Sequence, residues 1–343
     1  MGKDPSETGA LPPPDGVIPN FVNPPSIHYI HVAVAIAGLA TSAIAVTART
    51  YTRAKVIKRF GLDDCSLLIS LAIFAAYVAL TITTGEYGQG AHQWDVTVTR
   101  FFMLLKYINY IEILYSPLMF FAKFVVMRQI ESIFLKHKRD SISHTCLKIL
   151  IWTNLFFYSG LMLSFILACI PREKIWNPEI PGRCIDNDAA LIASSAINIL
   201  SDFAILFLPL AAIHHLQVAK KSKLKVTAIF AVGGFACIAS IVRFVYTIQL
   251  SKQTDVTYAI EPFGYWTEIE YATVVLVACF PTFPLLFRHI AQRSQVLFSF
   301  SGTASQQRGV EAQTGAQSDH SSVRKLRAPP AQDLGYTHSL ESL

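Results

Sequence analysis

Seven acidic or basic side chains fall inside long apolar runs of this chain: Lys106, Glu112, Lys123, Asp202, Arg243, Glu268 and Glu270. Placing such a group in hydrocarbon costs about 2.5–3.5 kcal/mol on insertion scales, so each should face protein and hold a partner. Arg243 lies seven residues from one end of its run and Glu270 seven from the matching end of its own. With a fixed helical rise the two are level, and an Arg243–Glu270 ion pair or hydrogen bond is expected. Glu268 is turned by about 200° from Glu270 around the helix and is assigned to Lys106. Glu112, Tyr115, Met119 and Lys123 form one helical stripe that should face the bundle. Glu112 and Asp202 count to a similar depth near the bilayer centre, while Lys123, near the inner end, can snorkel to the cytoplasm. Two chemistries fit. The charges fix helix register, or Glu112, Tyr115, Asp202, Arg243 and Glu270 line a polar cavity open to the outside. The pattern alone leaves both open.

Other reactive types carry less. No His-Glu-x-x-His, Gly-x-Ser-x-Gly or Gly-Lys-Ser/Thr phosphate loop occurs, so no enzyme class is expected. His28 and His31 are three residues apart and could touch one ion, but two ligands fall short of a zinc site, and no metal is assigned. Cys169 and Cys184 have fourteen residues between them in a segment assigned to the oxidising side, which favours a disulfide. Cys65 and Cys146 are expected reduced at the cytoplasmic border, and Cys237 and Cys279 are expected to pack in the core. Asp63 and Asp64 open an apolar run, where carboxylates cap free N–H groups and complement the helix dipole. The alternative is contact with Arg49 or Arg53, or with a cytoplasmic partner.

The elements that must position these groups are membrane helices. The chain is 52% hydrophobic and only 15% charged, against about 25% charged for a soluble domain. A soluble enzyme, a disulfide-stapled secreted scaffold and a disordered regulator are excluded, and nucleic-acid binding finds no free basic face. The runs 30–48, 65–84, 101–125, 149–170, 189–213, 226–250 and 263–287 each approach the roughly 20 residues of a transmembrane helix. Unbroken runs exclude a β-barrel, whose strands alternate. The loops after the odd-numbered spans hold 14 Lys and Arg against 5 after the even-numbered ones. The N-terminus is therefore expected outside and the tail in the cytoplasm. The expected architecture is all-α: a Pro-rich disordered extracellular segment (1–28), a seven-helix domain (29–290) and a disordered cytoplasmic tail (291–343) in a multi-pass protein, with the plasma membrane as its expected location.

Motifs spread along the chain carry a family likeness. They are Arg49-Thr-Tyr-Thr-Arg53, Phe60-Gly-Leu-Asp-Asp64, Tyr87-Gly-Gln-Gly-Ala-His92, Glu112-Ile-Leu-Tyr-Ser116, the series Cys169-Ile-Pro171, Trp176 and Cys184, Asp202 with Leu208-Pro209, Ala239-Ser-Ile-Val-Arg243, and Trp266, Glu270 and Ala278-Cys-Phe-Pro281. In order and spacing the chain resembles the fungal rhodopsin-domain family over about residues 29–290. The stretch after Lys123 departs, with Phe124-Val125-Val126 where the family commonly has Ser and Leu. The resemblance implies a seven-helix membrane protein. Some members are receptor-like and others sit in secondary-metabolite gene clusters. The outer eight-cysteine domain of the host-sensing subset is absent from this chain. The expected function is a receptor-like sensor of an external small molecule or surface cue, with a cytoplasmic signalling protein as candidate partner. The alternative is a carrier or accessory protein for a small metabolite, although Pro117, Pro209, Pro281 and Pro284 do not follow the repeat symmetry of a carrier. Retinal needs a Lys amine in the last helix for its Schiff base, and residues 263–287 contain no Lys. No cofactor is expected: purified protein mixed with retinal should develop no visible absorption band, and the appearance of one would reverse the assignment.

Overall fold

The computed structural model describes residues 8–134, 142–177, 179–213 and 220–292. The chain divides into two units, 1–284 and 285–343, the second described only as far as a helical stretch ending at residue 292. The expected disordered tail otherwise lies outside the described residues. The first unit holds seven long helices: α1 His28–Tyr51, α2 Leu62–Thr84, α3 Val98–Phe134, α4 Ile142–Ile166, α5 Asn187–Ile213, α6 Lys220–Leu250 and α7 Val256–Cys279. Among the described residues these seven are long and apolar enough to cross a membrane, so the protein is an all-α, polytopic seven-helix bundle. Hydrocarbon forces this outcome, because only intra-segment hydrogen bonding satisfies a spanning backbone.

Each helix packs on its sequence neighbours, and α1 returns to pack on both α2 and α7. The helix α3 is the longest and also touches α5 and α7. Its Leu118, Met119, Ala122, Val125 and Met127 are fully buried against Phe74, Tyr271 and Val275. Large apolar side chains such as Ile44, Phe156, Leu200 and Ile238 remain exposed on the outside of the bundle, as lipid contact requires.

The two ends of the bundle are built differently. At one end a two-residue strand, β1 Cys169–Ile170, pairs antiparallel with β2 Arg183–Cys184, and the Cys169–Cys184 disulfide closes the segment between α4 and α5. We call this the disulfide end. The Pro-rich segment differs here from its expected disorder. Residues 8–27 run along the α2–α3 connection, with Ala10 N–H donating to Val96 O at 2.8 Å and Val98 N–H to Thr8 O at 3.0 Å. Asn20 N–H donates to Asp95 Oδ1 at 2.8 Å, and Ile27 N–H to Gly90 O at 3.0 Å. The segment is pinned mainly by backbone pairing with the α2–α3 connection, which composition alone does not reveal. The opposite, basic end carries the turn 52–57 after α1 and the Asp63-Asp64 start of α2.

The disulfide closes a loop with a sequence separation of 15. Cys184→Ser is expected to lower stability by about 3 kcal/mol, read as an earlier thermal unfolding transition in detergent that reductant no longer shifts.

Candidate functional site

The centre of the bundle holds a polar chain built from α3, α4, α5, α6 and α7. Arg243 Nε on α6 donates to Glu270 Oε2 on α7 at 2.7 Å. Asn198 Nδ2 on α5 donates to the other Glu270 oxygen at 2.8 Å and to Asp202 Oδ2 at 3.2 Å. Lys123 Nζ on α3 lies 2.6 Å from Asp202 Oδ1 and donates to the Asn198 carbonyl at 3.2 Å. Tyr158 O–H on α4 donates to Asn198 Oδ1 at 2.8 Å, and Ser240 O–H on α6 donates to Asp202. Lys123, Arg243 and Glu270 are essentially inaccessible, and Asp202 is buried with them. Two cations and two carboxylates thus neutralise one another, with Asn198 as the bridge between the pairs. The guanidinium also lies over the Tyr115 ring at 5.3 Å, a cation–π geometry.

Cavities meet this chain from both sides. On the disulfide side a space of about 30 Å³ is lined by Glu112, Tyr115, Ser194, Arg243, Phe263 and Thr267, among others. On the basic side a larger space of about 70 Å³ is lined by Lys123 and Asp202 together with apolar side chains including Ile205, Ala236, Cys237 and Val274. Its walls are mostly apolar, with Gln129 and one ion pair among them. Tyr115 Oη, Ser116 Oγ and Arg243 Nη2 are buried without a hydrogen-bond partner in the structure.

The structure brings Tyr115, Asp202, Arg243 and Glu270 together; Glu112 lines the smaller cavity with Tyr115 and Arg243 but lies far from Asp202. Glu112 Oε1 accepts from Asn187 at 3.0 Å, the first residue of α5. Asp202 is fifteen residues further along that helix, about 22 Å at the helical rise. The equal depth inferred from counting along apolar runs fails because the helices are not level at their starts: Glu112, fourteen residues after the start of α3 at Val98, meets the first residue of α5. Lys123 does not snorkel: it is buried and pairs with Asp202 inside the bundle. Glu268 does not reach Lys106, which lies over the Trp176 ring at 5.1 Å; it turns to α1, where Oε1 is 3.4 Å from His31 Nε2. Sequence reading passed over Asn198, Ser240 and Tyr158. Neutral polar residues carry no insertion penalty large enough to flag them, though Asn198 and Asp202 sit one helical turn apart.

At the basic end Arg49 ties four helices together. Its guanidinium contacts Asp63 Oδ2 at 2.9 Å and Asp64 Oδ1 at 3.1 Å, Gln129 of α3 at 2.6 Å, and the Ala278 carbonyl of α7. Arg53 joins both carboxylates. Asp64 also accepts the Gly61 N–H at 3.1 Å, so the capping and ion-pair roles coexist. Both oxygens of Asp64 and Oδ2 of Asp63 are thus used inside the fold.

The family model for the fungal rhodopsin domain matches residues 48–289. The chain is 34% identical to a protein named SAT4 family membrane protein from Emericella nidulans, over 70% of this chain and 62% of that one. It is 25% identical to Fugralins biosynthesis cluster protein 2 of Gibberella zeae, over 81% of this chain and 70% of the relative. It is 27% identical to Wortmanamides biosynthesis cluster protein C of Talaromyces wortmannii, over 43% and 40% of the two chains. No solved structure matches the chain.

Removing one member of a buried pair leaves an uncompensated charge. Arg243→Met is expected to cost about 3–5 kcal/mol, and adding Glu270→Leu should recover most of the loss. Thermal unfolding of the purified variants measures the coupling; losses that merely add would mean that the pair does not interact.

Proposed function

Because the chain belongs to the fungal rhodopsin domain family of multi-pass membrane proteins, we propose that it is a receptor-like sensor of a small molecule. In this reading the protein is non-enzymatic, its disulfide end faces outside and its basic end faces the cytoplasm, as the Lys and Arg distribution supports. The observation that carries it is the fully buried Lys123–Asp202–Asn198–Glu270–Arg243 chain with a cavity on either side. A ligand that contacts either end of the chain alters the balance between two ion pairs shared by α3, α5, α6 and α7. Those helices lead to the basic loops, so a change of pairing has a direct route to a cytoplasmic partner. The apolar lining beside Lys123 suits a mainly hydrophobic molecule with one polar group. Two relatives are named as biosynthesis cluster proteins, which supports a secondary metabolite as that molecule.

The residues do not fit a Schiff-base chromophore. The helix α7 has no Lys, and the Lys123 amine on α3 is engaged by Asp202. The sensor is therefore proposed to work without retinal.

A metabolite carrier is the second reading. Cavities on opposite sides of one charge cluster favour it, since a bound solute reached alternately from two sides is what a carrier needs.

Ala236→Leu narrows the larger cavity without touching the charges. Wild type and variant, each purified from native membranes, are compared by mass spectrometry of bound small molecules and of co-purifying proteins. A small molecule enriched in the wild type and lost in Ala236→Leu is expected, together with a signalling subunit lost when Lys220, Lys221, Lys223 and Lys225 are changed to Gln. A bound molecule without any signalling protein moves the assignment to the carrier, tested by uptake into reconstituted vesicles. Identical small-molecule profiles in wild type and variant overturn ligand binding in this cavity.

A further inference from the structure

A second buried cluster lies at the disulfide end and is used by nothing described above. The Nδ1 atoms of His28 and His31, at the start of α1, converge on one carboxylate of α7: they lie 2.8 Å from Glu261 Oε1 and 2.6 Å from Glu261 Oε2. The donor atoms of the three residues all lie within 4.8 Å of one another. His31, Glu261 and Glu268 are each at most 2% exposed, and His28 is 9% exposed. Glu261 precedes the apolar run 263–287, which is why counting His28 and His31 alone stopped at two ligands.

Charge makes the cluster unusual. Two carboxylates, Glu261 and Glu268, are buried side by side on one helix. Among the described residues only the two imidazoles pair with them, and neither carboxylate meets a Lys or Arg. Buried charge without compensation is costly. Nε2 of both histidines and both oxygens of Glu268 are moreover buried without a hydrogen-bond partner.

The geometry points to a zinc-class divalent metal site held by His28, His31 and Glu261, with Gln89 as fourth donor and Glu268 positioning His31. Two imidazoles and a carboxylate are a ligand set that zinc accepts. Tetrahedral arms of about 2.0–2.1 Å put neighbouring donors about 3.4 Å apart, so the hydrogen-bonded pairs open slightly and the longest separation closes. Each imidazole binds as the neutral ring through Nδ1, with its hydrogen on Nε2. For His31 that Nε2–H faces Glu268 Oε1 at 3.4 Å, the carboxylate–histidine–metal arrangement that fixes ring orientation. The Gln89 amide lies 3.4 Å from His31 Nδ1, and a half-turn of that amide presents its oxygen.

The surroundings are shaped for the cluster. A Cβ on Gly85 would fall 2.3 Å from His28 Cδ2, one on Gly90 2.8 Å from Glu261 Oε1, and one on Gly264 2.2 Å from His31 Cε1. Gly90 also adopts φ 82°, a region that favours glycine. Gln89 and Gly90 come from the Tyr87-Gly-Gln-Gly-Ala-His92 motif, whose Gly90 N–H bonds Thr257 O at 2.9 Å. The motif thus presents an amide to the site while locking it between α1 and α7. An ion here joins the starts of both helices to the α2–α3 connection.

The full chain, purified in detergent and stripped with chelator, is loaded with Zn²⁺ alone and passed over a sizing column. About one zinc per chain should remain, and Co²⁺ in its place should give the intense visible bands of a tetrahedral site. His31→Gln and Glu261→Gln should each weaken retention by more than about tenfold, and Glu268→Gln by about 10–100-fold. His92→Gln, outside the cluster, should leave it unchanged. The proposal does not depend on any of these variants folding, because wild type that retains no zinc and gives no cobalt bands overturns it. Zinc held equally well by folded His31→Gln and Glu261→Gln overturns it too.

Discussion

The arrangement of this bundle depends on one requirement: charges placed in hydrocarbon must be neutralised inside the protein. Lys123, Asp202, Arg243 and Glu270 come from four helices, and each is worth keeping in the membrane only when its partner is in reach. That condition constrains the rotation of α3, α5, α6 and α7 together with side-chain packing, since lipid and core are equally apolar. Asn198 is the junction. It donates toward both carboxylates and accepts from Tyr158, so the two ion pairs behave as one unit. A unit of this kind is stable when fully satisfied and sensitive to any group that competes for one of its members.

The same logic recurs at both ends with different chemistry. At the basic end, Arg49 and Arg53 meet Asp63 and Asp64 in a cluster that also takes Gln129 and a carbonyl of α7. It closes α1 against α2, α3 and α7 near the interface. At the disulfide end, two imidazoles rather than Lys or Arg face the buried carboxylates Glu261 and Glu268. The helix α7 takes part in all three layers, through Glu261 near its start, Glu268 and Glu270 in the middle and Ala278 near its end. Its two near-adjacent glutamates serve opposite sides because a two-residue step turns the helix by more than half a circle.

Function follows from what sits beside the central unit. Cavities border it on both sides, and the larger is lined by small and branched residues of α3, α5, α6 and α7. In the receptor-like reading proposed above, a bound molecule would perturb this charged unit and so link recognition to helix movement. That link is the physical content of a receptor-like reading, and the two-sided access is the physical content of a carrier-like one.

Much of this was legible in the residues themselves. Seven apolar runs dictate seven helices because an unsatisfied backbone cannot stay in lipid, and Cys169 and Cys184 sit close enough in sequence to be joined. Levelling Arg243 with Glu270 needed only the helical rise counted along their apolar runs, and the pair forms although α7 itself begins earlier than its run, at Val256. Depth across helices of unequal overhang was not legible: Glu112 lies near the start of α5 and not beside Asp202. Nor was the choice among acceptors, which sent Lys123 to Asp202 and Glu268 to His31. Glu261 escaped because it stands outside an apolar run and is more than two hundred residues from the histidines it meets. The amino-acid sequence by itself determined that buried charges exist, which helices carry them and that each must be paired. Only the tertiary structure decided which partner each one took, because pairing depends on helix rotation, tilt and overhang, and those are set by all the neighbours at once.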